Sequence, residues 1–227
     1  MKALESRLRI TATAFAILLG IGLIPAGGAE VILKNDSIAP GAALTQFLSG
    51  ERVASWFTVP TAGDLVGVQV VWGSMFGGSP NTIETAITVS AGGVFPTPGA
   101  TLATVPTPTL VDGPINEYRH LDVAQIIPMQ VPVTAGQVVV VDLEFFNTNA
   151  GNNFAGSIEH DLDGCQLGLN SVLAIPGVWA DACLLGVNGD WGIRAILQPV
   201  PEPSAALLVL AGLAGLAARR RNCGTRW

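Results

Sequence analysis

The chain's 227 residues leave room for one ordinary domain with appendages, and a hydrophobic content of 49% is enough to bury a core. Charged residues make up only 12%, and most of the basic ones gather at the two ends: Lys2, Arg7 and Arg9 near the start, Arg219, Arg220, Arg221 and Arg226 near the finish. From 30 to 203, Lys34, Arg52, Arg119 and Arg194 face sixteen Asp and Glu, a formal charge of −12, which offers no basic footprint to a phosphate backbone and argues against nucleic-acid binding.

Residues 1–29 carry the three parts of a secretory signal: the basic start, an apolar stretch over 10–24, and the small residues PAGGA before Glu30. The pattern predicts removal after Ala29 by a signal peptidase. An uncleaved N-terminal anchor is the alternative, and the apolar stretch falls well short of the ~20 residues such an anchor needs.

Between the two ends the apolar pattern has period two more often than 3.6. ASWFTV (54–59) and DLVGVQVVW (64–72) are rich in Val and aromatics and bounded by Gly, Pro or Asp, which predicts strands. TIETAITV (82–89) alternates Ile83, Thr85, Ile87 and Val89 on one face with Glu84, Ala86 and Thr88 on the other, the pattern of one half-buried strand. ATLATV (100–105), QIIPMQVPV (125–133), QVVVVDLEFF (137–146) and WGIRAIL (191–197) follow, with Pro128 and Pro132 demoting the second of these to an edge or an extended crossing. The five prolines of 95–114 could mark a linker, but the interspersed Leu and Val suit edge strands and loops across one end of a sheet. No ten-residue stretch shows a helical stripe and no internal repeat is visible. The expectation is an all-β exported domain over 30–199, an antiparallel β-sandwich of jelly-roll-like type.

Few residues in this body could carry chemistry. Cys165 and Cys183 are its only cysteines, eighteen positions apart, and in an oxidising compartment they are expected to pair, which the chain-entropy model values at about 3 kcal/mol; two free buried thiols are the alternative. A hydrolase would need a base, and only His120 and His160 are on offer; neither G-x-S-x-G nor H-E-x-x-H occurs. His120, in EYRHLDV, reads as a structural edge histidine. Glu159, Asp161 and Asp163 before Gly164 resemble the start of a calcium loop, but the pattern stops early and would need help from Asp142, Glu144 or Asn147. An acidic turn closed by Gly164 is the plainer reading, with Asp161 and Asp163 kept as candidate calcium ligands. Of the body's four tryptophans, Trp56 and Trp72 sit in apolar strand patterns and read as core, while Trp179 is the candidate for stacking on a glycan. Arg194, in the last strand, is expected to pair with an acidic group.

The tail begins with Pro201-Glu202-Pro203, where two fixed φ angles hold the chain extended as a stiff stalk. Ser204 can cap the helix that follows, and residues 204–218 are almost pure Ala, Leu, Gly and Val. As a helix they reach about 22 Å against a hydrocarbon core of ~30 Å, a marginal span helped by snorkelling arginines. Arg219, Arg220 and Arg221 then hold the end in the cytoplasm and leave the body outside. Cys223 follows them on that side. A plain anchor is the bland reading.

These three ordered elements over 200–227 closely resemble the PEP-CTERM sorting signal of Gram-negative bacteria, apart from a slightly longer end over 222–227. The resemblance implies recognition by an exosortase, a membrane-embedded thiol enzyme that cleaves near the tripeptide after transient membrane anchoring. It also implies onward transfer across the inner membrane to the surface or beyond, in settings tied to exopolysaccharide or biofilm. The expected protein is non-enzymatic, with a structural or interaction role and no obligatory cofactor. Its charge favours divalent cations or cationic partners over anionic polymers. A carbohydrate-binding module is the first alternative, and a hydrolase a lesser one.

Overall fold

The Val-rich runs become strands because branched side chains pack well on a pleated surface with apolar neighbours on both sides. The computed structural model describes residues 28–38, 42–74, 79–146, 157–174 and 177–200, together with 209, 212 and 213. Its strands are β1 (Val31–Leu33), β2 (Ala43–Gln46), β3 (Arg52–Thr58), β4 (Gly63–Val71), β5 (Asn81–Ile83), β6 (Ala86–Ala91), β7 (Thr101–Pro106), β8 (Thr109–Val111), β9 (Ile115–Tyr118), β10 (Val131–Val133), β11 (Val138–Glu144), β12 (Ser157–His160), β13 (Asn170–Ala174), β14 (Val178–Asp181) and β15 (Ile193–Pro199).

One sheet runs β1-β15-β4-β10, with β9 also alongside β4; a larger one runs β14-β13-β3-β11-β6-β7; β2 with β12 and β5 with β8 form two short ribbons. The pairings between these strands are antiparallel. The two main sheets share one core. Leu65, Val68 and Val70 of β4 and Ile193, Ala195 and Leu197 of β15 join Val53 and Phe57 of β3, Ile87 and Val89 of β6, and Val139, Val141 and Leu143 of β11 in a single buried cluster. Phe47 and Phe145 stack at 4.8 Å within it, and Trp191 meets Phe47 edge-on at 5.7 Å. Residues 29–200 form one compact unit.

A bulge sets the phase of β4. Its register with β15 shifts between Ile196, opposite Gly67, and Leu197, opposite Leu65, so that Val66 is the extra residue and Leu65 points inward with Val68 and Val70. Gly67 suits a close approach, since a Cβ there would lie 3.0 Å from Ile196 Cδ1, 3.1 Å from Arg119 Cγ and 3.2 Å from the Tyr118 carbonyl oxygen, and each neighbour would have to give way slightly. Arg119 crosses the outer face at that point to reach Glu30 and Glu117.

The expected strand TIETAITV is in fact two. β5 pairs with β8, β6 with β11 and β7, and Ile83 is 52% exposed while Glu84 is 1% exposed, the reverse of the expected faces. The chain turns at Glu84 because its carboxylate accepts hydrogen bonds from Thr82 Oγ1 and the Phe146 amide. Of QIIPMQVPV only its last three residues form a strand, β10, which lies at the sheet edge with Pro132 opposite Asp64. The proline-rich stretch supplies edge strand β7 and ribbon strand β8.

Among the described residues no helix is long and apolar enough to cross a membrane. Val209, Gly212 and Leu213 are helical, and the rest of the 204–218 run lies outside the described residues, as does the leader up to residue 27.

Candidate functional site

The acidic turn after β12 is a hydrogen-bonded junction. Gly164, at φ +115°, turns the chain into Cys165, which forms a disulfide with Cys183 across a Cα–Cα distance of 5.5 Å. Asp161 accepts the Ser37 amide on Oδ2 at 2.7 Å and the Asp190 amide on Oδ1 at 2.8 Å, and Asp163 accepts the Ser37 hydroxyl. Asp190 in turn accepts Gln166 N and the side-chain amides of Gln166 and Asn170, and its carboxyl is pushed up, mainly by burial. Each Asp161 oxygen is thus already bound to a backbone amide. Asp142 and Glu144, considered as distant calcium ligands, belong to a different network, around Arg52 on β3, and Asn147 lies outside the described residues. No group of three or more metal-type side chains converges among the described residues.

The tryptophans divide by face. Trp72 and Trp191 fill the main core. Trp56 is buried as expected, but on the opposite face of the larger sheet, in a second cluster with Ala54 and Val140 against which Phe95 and Trp179 pack. Trp56 Nε1 donates to Ser171 Oγ at 2.9 Å and its ring meets Phe95 edge-on at 5.2 Å. Trp179, on edge strand β14 opposite Leu173, is half-buried. Beside this cluster Trp56, Phe95, Val138 and Leu169 line an open cleft of about 270 Å³.

Further along the same face, register places Ala54, Asp142 and Thr88 side by side. Arg52 donates from Nε to Asp142 Oδ1 at 2.7 Å and from Nη2 to Thr88 Oγ1 at 3.2 Å. The other Asp142 oxygen is buried without a partner. Burial raises the Asp142 carboxyl to about 6, with Arg52 acting in the opposite sense. Asp142, following the four valines of β11, and Arg52, at the start of β3, were the sequence signal for this pair. Arg194 finds its acid in Asp36, with Nε 2.8 Å from Oδ2 and Nη2 2.6 Å from Oδ1.

The histidines are built into the fold. His160 is buried, its Nδ1 2.7 Å from the Asp161 carbonyl and its ring edge-on to Trp191. His120 follows β9 and bridges to Pro128. Neither ring is hydrogen-bonded to a hydroxyl or thiol among the described residues.

The body's last strand ends at Pro199. β15 lies between β1 and β4, and one residue after its end the Val200 amide donates to the Ala62 carbonyl at 3.1 Å. Pro201, Glu202, Pro203 and Arg219 to Arg221 lie outside the described residues. A PEP-CTERM protein-sorting motif matches residues 199–221, so its first residue is the last residue of β15. Such a motif marks a chain for export and transient C-terminal anchoring, with an exosortase as processing partner. No curated protein matches the chain. Among solved structures, the clostridial cysteine protease Cwp84 after propeptide cleavage superimposes with a TM-score of 0.51 and 13% identity, over 75% of this chain and 40% of that one. The cysteine protease and lectin-like domains of Cwp84, a surface layer associated protein of Clostridium difficile, give a TM-score of 0.47 and 14% identity, over 71% and 37%. The chain spans less than half the length of either, and the first likeness concerns the fold alone.

Proposed function

We propose that the protein is an exported, non-enzymatic surface or matrix component of a Gram-negative bacterium. A leader over 1–29 is removed by signal peptidase, a sandwich domain of jelly-roll type over 30–199 does the work outside, and the tail over 200–227 is transient. Pro201-Glu202-Pro203 is the segment an exosortase grips, and Arg219-Arg220-Arg221 hold the tail until it does. The observation that carries this reading is the sorting motif placed directly against the end of the last strand. A cystine suits the oxidising compartment such a route leads to. The role outside is structural or adhesive, in an envelope or exopolysaccharide matrix such as a biofilm. Both histidines serve packing in this reading, and no reaction is assigned.

Inactivating the exosortase in the native host is expected to move the protein from the surface and medium into the membrane fraction. An unchanged distribution would sink the proposal. The acidic turn is structural in the same reading, so neither calcium nor a chelator shifts the melting temperature; a rise with calcium would restore Asp161 and Asp163 as ligands.

The partly buried Trp179, packed against the cluster beside the Trp56 and Phe95 cleft, favours one second reading, glycan binding on that face. It requires that an immobilised glycan retain the body and that Trp179→Ala abolish the retention.

A further inference from the structure

The cleft beside Trp56 has walls that are held in place. Its floor is β3 and the start of β11, which contribute Trp56, Thr58 and Val138. One wall is the loop after β6, where Gly92 N donates to the Val138 carbonyl at 2.8 Å and Gly99 N to the Ala91 carbonyl at 3.0 Å. A Cβ at Gly93 would lie 2.3 Å from the Thr97 carbonyl oxygen, and one at Gly99 2.5 Å from that of Gly92, so a side chain at either position would collide with backbone. The loop folded in this way sets Phe95 edge-on to Trp56 at 5.2 Å. Gly168 and Leu169 form the other wall. Asp181 accepts Gly168 N at 3.1 Å, Asn35 Nδ2 donates to the Leu169 carbonyl at 3.3 Å, and Cys165 ties the stretch to Cys183. A recess shaped before any ligand arrives loses little binding energy to ordering.

The residues that build the cleft carry no charge. Stretches 54–60, 91–101, 137–141 and 166–170 hold no Asp, Glu, Lys, Arg or His, in a body of formal charge −12. Two carboxylates stand near it and both are engaged, Asp181 by the Gly168 and Cys183 amides and Asp142 by Arg52. Lys34 lines a neighbouring hollow that shares Phe57 and Thr58 with this one. Resting on the glycan-binding reading of this face, we propose that the cleft is a subsite for an uncharged sugar unit of a polysaccharide and that it discriminates against acidic polymers. A sugar ring offers its C–H face to the aromatic wall of Phe95 and its hydroxyls to Thr58, which is exposed at the floor. An acyl chain or an apolar peptide would bury that hydroxyl unpaired. A uronate or sulfate would find no cation in the cleft and would meet the repulsion of the acidic body around it. At about 270 Å³ the recess lies at the small end of ligand sites, with room for a ring rather than a chain.

The test uses the full chain in a polyoxyethylene detergent, which presents no sugar headgroup, run on native gels cast with dextran, galactomannan or hydroxyethyl cellulose and, separately, with alginate or polygalacturonate. Retardation by at least one uncharged polymer and by neither acidic one is expected. Thr58→Asp places a carboxylate in the cleft and is expected to weaken the retardation by about tenfold or more, while Thr58→Ser keeps it. Should Thr58→Asp not fold, Val138→Asp, at a position 38% exposed, makes the same test. Retardation by an acidic polymer overturns this proposal and leaves the glycan reading standing. Retardation that survives in the folded Asp variants overturns the cleft assignment, and its loss in Trp179→Ala would then keep the glycan reading alone. No retardation by any of the five polymers overturns both.

Discussion

Arg194 and Asp36 meet where neither can turn to water, with Asp36 only 3% exposed. Removing one charge strands the other, so Arg194→Leu is expected to cost about 3–5 kcal/mol in urea unfolding, and Asp36→Leu added to it to recover much of that loss. Equal losses in the single and double variants would contradict the pairing. Asp142 gives a pH signature of defined sign. Its carboxyl rises from 3.8 to about 6, so the folded chain holds a proton that the unfolded chain has lost over that interval. The stability it contributes is full below its unfolded value and disappears as pH rises through about 6. Asp142→Asn is expected to flatten this part of the stability profile, and an unaltered profile would contradict the burial assigned to it. Asp190 and Glu159 are raised mainly by burial and act in the same sense, whereas Glu30 and Glu117 are lowered by Arg119 at the surface and act weakly in the other. The half of each ion pair that sits in a strand pattern, Arg194 or Asp142, could be read from the chain. Asp36 could not, because KNDS looks like any polar loop.

The long strands β3, β4, β11 and β15 were legible because each has seven or more residues in which apolar side chains, mostly Val, Ile, Leu or aromatic, recur. Strands of three or four residues, such as β1, β2, β9 and β12, contain too few positions to display a period, and tertiary pairing alone makes them strands. The break between β5 and β6 was hidden for another reason: a buried Glu84 occupies what alternation assigns to the outer face. The cystine was legible from compartment and count. Closing an eighteen-residue separation, it is expected to contribute about 3 kcal/mol, read as a drop in unfolding midpoint on reduction or in Cys165→Ser/Cys183→Ser. No drop would mean that the network of Asp161, Asp190 and Gln166 holds the segment unaided. That network escaped the sequence because Ser37 is more than a hundred residues from the turn it clasps.

For the whole molecule, destination is readable where action is not. Export signals are linear because enzymes read them as extended chain and short helix, so residue order preserves them. The cleft on the second face is lined by Trp56, Phe95, Val138 and Leu169, which sequence separates widely and a fold brings together. The body and its motif meet without a spacer, which makes cutting and anchoring alternatives for the same few residues. Intact-mass analysis of the protein recovered from its native host, resolving both ends, decides between them. A chain that starts at Glu30 and ends near Pro203 is the expected result. A chain that still ends at Trp227 would contradict processing and make the tail a permanent anchor.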